Sequence, residues 1–116
     1  MSKVGVIMGS KSDLPVMQDA IDILKGFDIE VEVENMIEFK QALQCGVNRI
    51  LLDNMDIPTL KRAVEINEGR AQLEASGNVT IENINEIAET GVHYISVGAI
   101  TKHLHAIDLS MRFADF

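Results

Sequence analysis

Ile29-Glu30-Val31-Glu32-Val33-Glu34 is the stretch on which the fold turns. It alternates with the period of a β-strand, placing isoleucine and valine on one face and three carboxylates on the other. Strands buried on both faces read as continuous apolar runs, so this one is expected at a sheet edge. There one face is wet, and the charges discourage pairing with another chain.

Outward from it, strand-like and helical runs alternate five times, an α/β pattern expected to form a single domain over residues 1–116. The other strand candidates are Val4 to Met8, Arg49 to Leu52, Ala71 to Ala75 and Tyr94 to Val97. Most look apolar enough for a parallel sheet covered by helices. Helix starts are expected at Asp13, Asn35, Asp56, Thr80 and Thr101, whose side chains can accept unpaired amides. Gly26, Gly46, Gly69 and Gly91 fall where helices should stop. Core faces are expected from Leu14, Met17, Ile21 and Leu24, from Phe39, Ala42 and Leu43, from Leu60, Ala63 and Val64, and from Ile81, Ile84, Ile87 and Ala88.

Two strand orders accommodate five βα units. With Ile29–Glu34 at the edge, the expected fold is a flavodoxin-like three-layer sandwich of order 2-1-3-4-5, which covers both faces of the sheet. The alternative is an open half barrel of order 1-2-3-4-5, whose inner face is expected to be apolar and to drive dimerisation. Residues 101–113 read equally as a helix striped by Leu104, Ile107 and Met111 or as a strand alternating Ile107, Leu109, Met111 and Phe113.

Composition narrows the function. Hydrophobic residues make up 47% and charged residues 24%, which is ordinary globular content. A net charge of −8 opposes binding to nucleic acid. No apolar run is long enough to span a bilayer and no signal peptide is evident, so a cytoplasmic protein is expected. Cys45, the only cysteine, excludes an internal disulfide and reads as a small buried hydrophobe. His93, His103 and His105 lack a third ligand at metal-site spacing, and no metal or cofactor is expected.

The candidate chemistry clusters after strands. Ser10, Ser12 and Asp13, then Glu34-Asn35, Asp53-Asn54, Ser76-Gly77 and Gly98-Ala99, all lie where a parallel sheet presents its carboxyl edge. Glycines such as Gly9, Gly77 and Gly98 let backbone amides approach a phosphate, aided by helix dipoles. The same residue types also serve as plain turns and caps.

The run Val4-Gly5-Val6-Ile7-Met8-Gly9-Ser10-Lys11-Ser12-Asp13, continued by Leu14-Pro15-Val16-Met17, resembles the opening of the carboxyaminoimidazole ribonucleotide mutase family, which is flavodoxin-like. That resemblance, over residues 1–27, implies phosphate and ribose binding by Gly9, Ser10, Ser12 and Asp13. The family's next motif, with its catalytic histidine, is replaced here by Glu34-Asn35-Met36-Ile37. Residues 30–113 resemble instead the C-terminal barrel part of quinolinate phosphoribosyltransferase, through Val31-Glu32-Val33-Glu34-Asn35, Leu51-Leu52-Asp53-Asn54-Met55, Leu73-Glu74-Ala75-Ser76-Gly77-Asn78, Ala88-Glu89-Thr90-Gly91-Val92 and Ile95-Ser96-Val97-Gly98-Ala99. This second resemblance implies Glu32 and Asp53 beside the ribose and metal-bound pyrophosphate, with Ser76, Gly77, Gly98 and Ala99 on phosphate. That family's quinolinate-binding arginines and catalytic lysines have no counterpart among the matched residues.

Together the two resemblances suggest an engineered chimera joined between Gly26 and Glu30, a scaffold without native catalytic activity. The alternatives are a weak binder of phosphate, sulfate or a phosphoribosyl compound, and a residual quinolinate phosphoribosyltransferase-like enzyme. The chain is expected to be a monomer or a homodimer.

Overall fold

The computed structural model describes residues 3–7, 14–98 and 111–113. Strands β1 (Lys3–Ile7), β2 (Asp28–Val33), β3 (Arg49–Asp53), β4 (Gln72–Ser76) and β5 (Tyr94–Val97) alternate with helices α1 (Leu14–Ile23), α2 (Met36–Gln44), α3 (Ile57–Asn67) and α4 (Ile84–Glu89). A last strand, β6 (Met111–Phe113), follows. Asp13 and Thr101, expected to start helices, lie outside the described residues, as do His103 and His105.

The strands form one sheet in the order β1-β2-β3-β4-β5-β6. The first five run parallel, with Val6 beside Val31, Val31 beside Ile50, Ile50 beside Leu73 and Ala75 beside Ile95. β6 lies antiparallel against β5, so this part of the 101–113 segment takes the strand alternative. The sandwich order 2-1-3-4-5 is therefore corrected, because β1 pairs with β2 and does not enter between β2 and β3.

The physical reason lies in the alternation of β2. Its Ile29, Val31 and Val33 are buried, while Glu30 and Glu32 are half-buried on the opposite face. The register carries that division across the sheet, with Glu30 beside Arg49, Arg49 beside Gln72, and Asp53 beside Ser76. One face is thus polar on at least three strands, and β2 needs no edge to keep its carboxylates wet. A sandwich would lay helices on that polar face and strip water from carboxylates without supplying partners. The same alternation corrects the expectation of an apolar inner face in the open-barrel alternative.

All helices feed one core on the other face. Ile29, Val31, Val33, Ile50, Leu52, Leu73, Ala75, Ile95 and Val97 form a single cluster with Met17 and Ile21 of α1, Phe39, Ala42 and Leu43 of α2, Leu60 and Ala63 of α3, and Ile87 of α4. Cys45 is buried in the same cluster, where burial, then Asp22, pushes its thiol pKa up. Strands β2 to β5 thereby show an apolar face to the helices and a more polar face on the opposite side of the sheet.

Local chemistry sets the helix ends. Asn35 Oδ1 accepts the Glu38 amide at 2.9 Å, and the buried Glu38 carboxylate accepts the Glu34 amide at 2.8 Å, a reciprocal arrangement that fixes the start of α2. Asp56 Oδ1 accepts the Thr59 amide at 2.9 Å to start α3. The fourth helix departs from expectation. Thr80 and Asn83 each accept the other's backbone amide, at 3.2 and 2.7 Å, closing a turn before α4 begins at Ile84. Ile81, expected in the core, is consequently 78% exposed.

Candidate functional site

The carboxyl edge of the sheet gathers several of the sequence-predicted residues. Glu32 is the penultimate residue of β2, Asp53 ends β3, and Ser76 ends β4 directly beside Asp53. Glu32 aligns with Leu51, two residues short of Asp53, so both carboxylates stand on the polar face. Burial, then the negative charges of Asp53, Glu34 and Glu30, raise the Glu32 carboxyl above its ordinary range. Gly98 is exposed immediately after β5, the strand that pairs with β4. Gly9, Ser10, Ser12, Asp13 and Ala99 lie outside the described residues.

The loops after β3 and β4 are locked together. The Asn54 amide donates to the Ser76 carbonyl at 2.7 Å. Gly77 adopts φ +83, and a Cβ there would stand 2.9 Å from the Asn54 nitrogen and 3.1 Å from Asp53 Oδ1. Only glycine allows this backbone approach. The Asn78 side-chain amide donates to Asn54 Oδ1, and the Asn83 side chain donates to the Asn78 carbonyl at 2.8 Å. Behind this asparagine chain is a pocket of about 290 Å³ with Met55, Ile57 and Ile87 among its walls.

Further down, the polar face is closed by a packed layer that the sequence reading missed. The Arg49 guanidinium stacks 4.2 Å above the Tyr94 ring, and Arg49 Nη2 and the Tyr94 hydroxyl both donate to Gln72 Oε1, at 3.1 and 3.2 Å. Glu74 is fully buried on the neighbouring level. Aligning the strand candidates would have signalled this layer, since Glu30, Arg49 and Gln72 recur at matching alternate positions.

At the amino edge a second, polar pocket of about 610 Å³ includes Asp28, Asn48, Arg70 and His93. Its groups serve the scaffold. Arg70 donates to the carbonyls of Asn67 and Ile66 at 3.1 and 2.8 Å, and His93 Nδ1 accepts the Leu73 amide at 3.0 Å. The carboxyl edge is the end with groups left to act on a ligand.

Chemically, that edge joins two half-buried carboxylates to a glycine loop. Carboxylates of this kind accept sugar hydroxyls or ligate a magnesium ion that arrives with a phosphate, since magnesium needs only one or two protein carboxylates there. Among the described residues, no group of three or more His, Cys, Asp or Glu side chains could hold a metal by itself. No described helix is long and apolar enough to cross a membrane.

The profile of the family "Quinolinate phosphoribosyl transferase, C-terminal domain" matches residues 6–112. The mitochondrial quinolinate phosphoribosyltransferase (decarboxylating) 2a of Nicotiana tabacum is 42% identical over 90 residues, covering 70% of this chain and 26% of the relative. The probable nicotinate-nucleotide pyrophosphorylase (carboxylating) of Bacillus subtilis is 33% identical over 84 residues, covering 72% and 29%. Among solved structures, the nicotinate-nucleotide pyrophosphorylase of Ehrlichia chaffeensis superposes with a TM-score of 0.74 at 40% identity, over 84% of this chain and 38% of that one. The enzyme from Francisella tularensis gives 0.76 at 33% identity, over 97% and 40%. The chain thus spans about a quarter of the length of the curated Nicotiana relative.

These matches overturn the graft. One family profile begins inside β1 and runs through the expected junction at Gly26 to Glu30, and one solved relative covers 97% of the chain. A mutase-derived segment is not needed to account for any matched part of the fold.

Proposed function

Because this chain belongs to the quinolinate phosphoribosyl transferase C-terminal domain family, we propose that its carboxyl edge holds the phosphoribosyl side of a transferase site. This replaces the expectation of an engineered scaffold without activity. The expectation that the chain is no enzyme is likewise corrected, since the family and the named relatives are enzymes.

The relatives' names describe transfer of a phosphoribosyl group to quinolinate with loss of carbon dioxide. In the proposed site, Glu32 and Asp53 receive the ribose hydroxyls and the magnesium carried by the pyrophosphate of phosphoribosyl pyrophosphate. Ser76 and Gly77, with Gly98 and Ala99 after β5 in the sequence, take the phosphate. Gly9, Ser10, Ser12 and Asp13, which follow β1 in the sequence, add further anion-binding groups. As charge builds on the departing pyrophosphate, magnesium supplies the neutralising charge when bound. Glu32 and Asp53 orient the ribose and fix its distance from the phosphate loop.

The observation that carries this reading is the adjacency of Asp53 and Ser76 in one register, with Glu32 on the same face and Gly77 within backbone contact of both loops. Calorimetric titration with magnesium and phosphoribosyl pyrophosphate tests it. Saturable binding is expected, at least tenfold weaker in Asp53→Asn. No heat, or equal affinity in the variant, would overturn it.

A further inference from the structure

We infer that Asn78 is a positioning residue whose side-chain tie to Asn54 restrains the Gly77 turn just beyond the Asp53–Ser76 strand pair; the inference rests on the proposed phosphoribosyl site. Asn54 and Asn78 both adopt left-handed backbone, at φ +56 and +54. Asparagine tolerates such positions better than most residues, so both backbones hold without strain while their side chains remain free to link the loops.

What those side chains do is link two loops. Asn78 donates to Asn54 Oδ1, directly after Asp53, while Asn83 holds the Asn78 carbonyl at 2.8 Å. The chain of three asparagines begins one residue after a proposed ribose and magnesium ligand and passes one residue from the proposed phosphate loop. It runs outside the sheet, where strand pairing no longer fixes the distance. Across the same gap the Asn54 backbone amide donates to the Ser76 carbonyl at 2.7 Å. That bond sets the height of the loops, and the side-chain tie restrains their rotation about it.

Asn54→Gly and Asn78→Gly test this, because glycine tolerates both backbone angles and removes the tie, and comparing single with double variants separates its loss from added backbone freedom. The readout is the affinity for inorganic phosphate, followed by amide shifts of Ser76 and Gly77 in the folded chain. Each variant is expected to bind phosphate about tenfold more weakly, and the double variant no more weakly than either single one, as a coupled pair requires. Unchanged affinity in the single variants, or losses that add in the double variant, would overturn the inference alone. A wild-type chain without any phosphate response would overturn the proposed function, and the inference with it.

Discussion

Replacing Gly77 with alanine probes the close approach on which the edge is built. Two costs are expected. At φ +83 an alanine Cβ brings a left-handed penalty of about 1–2 kcal/mol. That Cβ would also stand 2.9 Å from the Asn54 nitrogen, which is backbone and cannot rotate away, so the β3–α3 loop must shift. Overpacking of this kind costs about 1–3 kcal/mol. The sum is about 3 kcal/mol, a loss in Tm on the order of 10 °C for a domain of this size. Gly46→Ala is the matched control. Its φ is +72, but nothing lies within 4 Å of the added carbon, so only the conformational penalty of about 1 kcal/mol applies. Urea unfolding followed by far-ultraviolet dichroism, with slopes compared to verify two-state behaviour, measures both. Equal losses in the two variants, within about 0.5 kcal/mol, would show that the loops after β3 and β4 do not meet as described.

Two more outcomes follow from single residues. Asn67 is buried at the end of α3, with its amide donating to the Ala71 carbonyl at 2.8 Å and its Oδ1 accepting the Ala71 amide at 3.0 Å. Asn67→Ala should cost about 2–4 kcal/mol by urea unfolding, since it orphans two buried backbone groups, and a loss below about 1 kcal/mol would contradict that pairing. Glu32 has a folded pKa raised above its unfolded value, so its favourable contribution is complete below the unfolded pKa and is lost as pH rises through the folded one. Glu32→Gln should therefore melt higher than the wild type at neutral pH, with the gap closing as acid protonates Glu32; a gap independent of pH would refute the strain assigned to this carboxylate.

Element boundaries were largely legible because their causes are local. The buried alternation of Ile29, Val31 and Val33 and the caps Asn35 and Asp56 need only neighbouring residues to act. At α4 Thr80 does accept unpaired amides, from Asn83 on its hydroxyl and from Ile84 on its carbonyl, but the regular helix begins only at Ile84, later than expected. Strand order was not legible in β2 alone. Alternating glutamates suit a wet sheet edge and the concave face of an open barrel equally well, and only their alignment with Arg49 and Gln72 separates the two.

The shared placement of Asp53 and Ser76 was legible because a parallel sheet delivers every strand-end residue to one edge. The asparagine tie was hidden, since Asn54, Asn78 and Asn83 each read as an ordinary turn residue until two loops are seen to touch. The Arg49–Gln72–Tyr94 layer escaped for the same reason, its members being 23 and 22 positions apart in sequence.

The account stands most directly on where phosphoribosyl pyrophosphate touches the chain. Titrating it with magnesium into isotope-labelled protein should shift the amides of Glu32, Asp53, Asn54, Ser76 and Gly77 together while those of Asn48, Arg70 and Gln72 stay in place. Shifts confined to the amino-edge group, or none at either end, would contradict it.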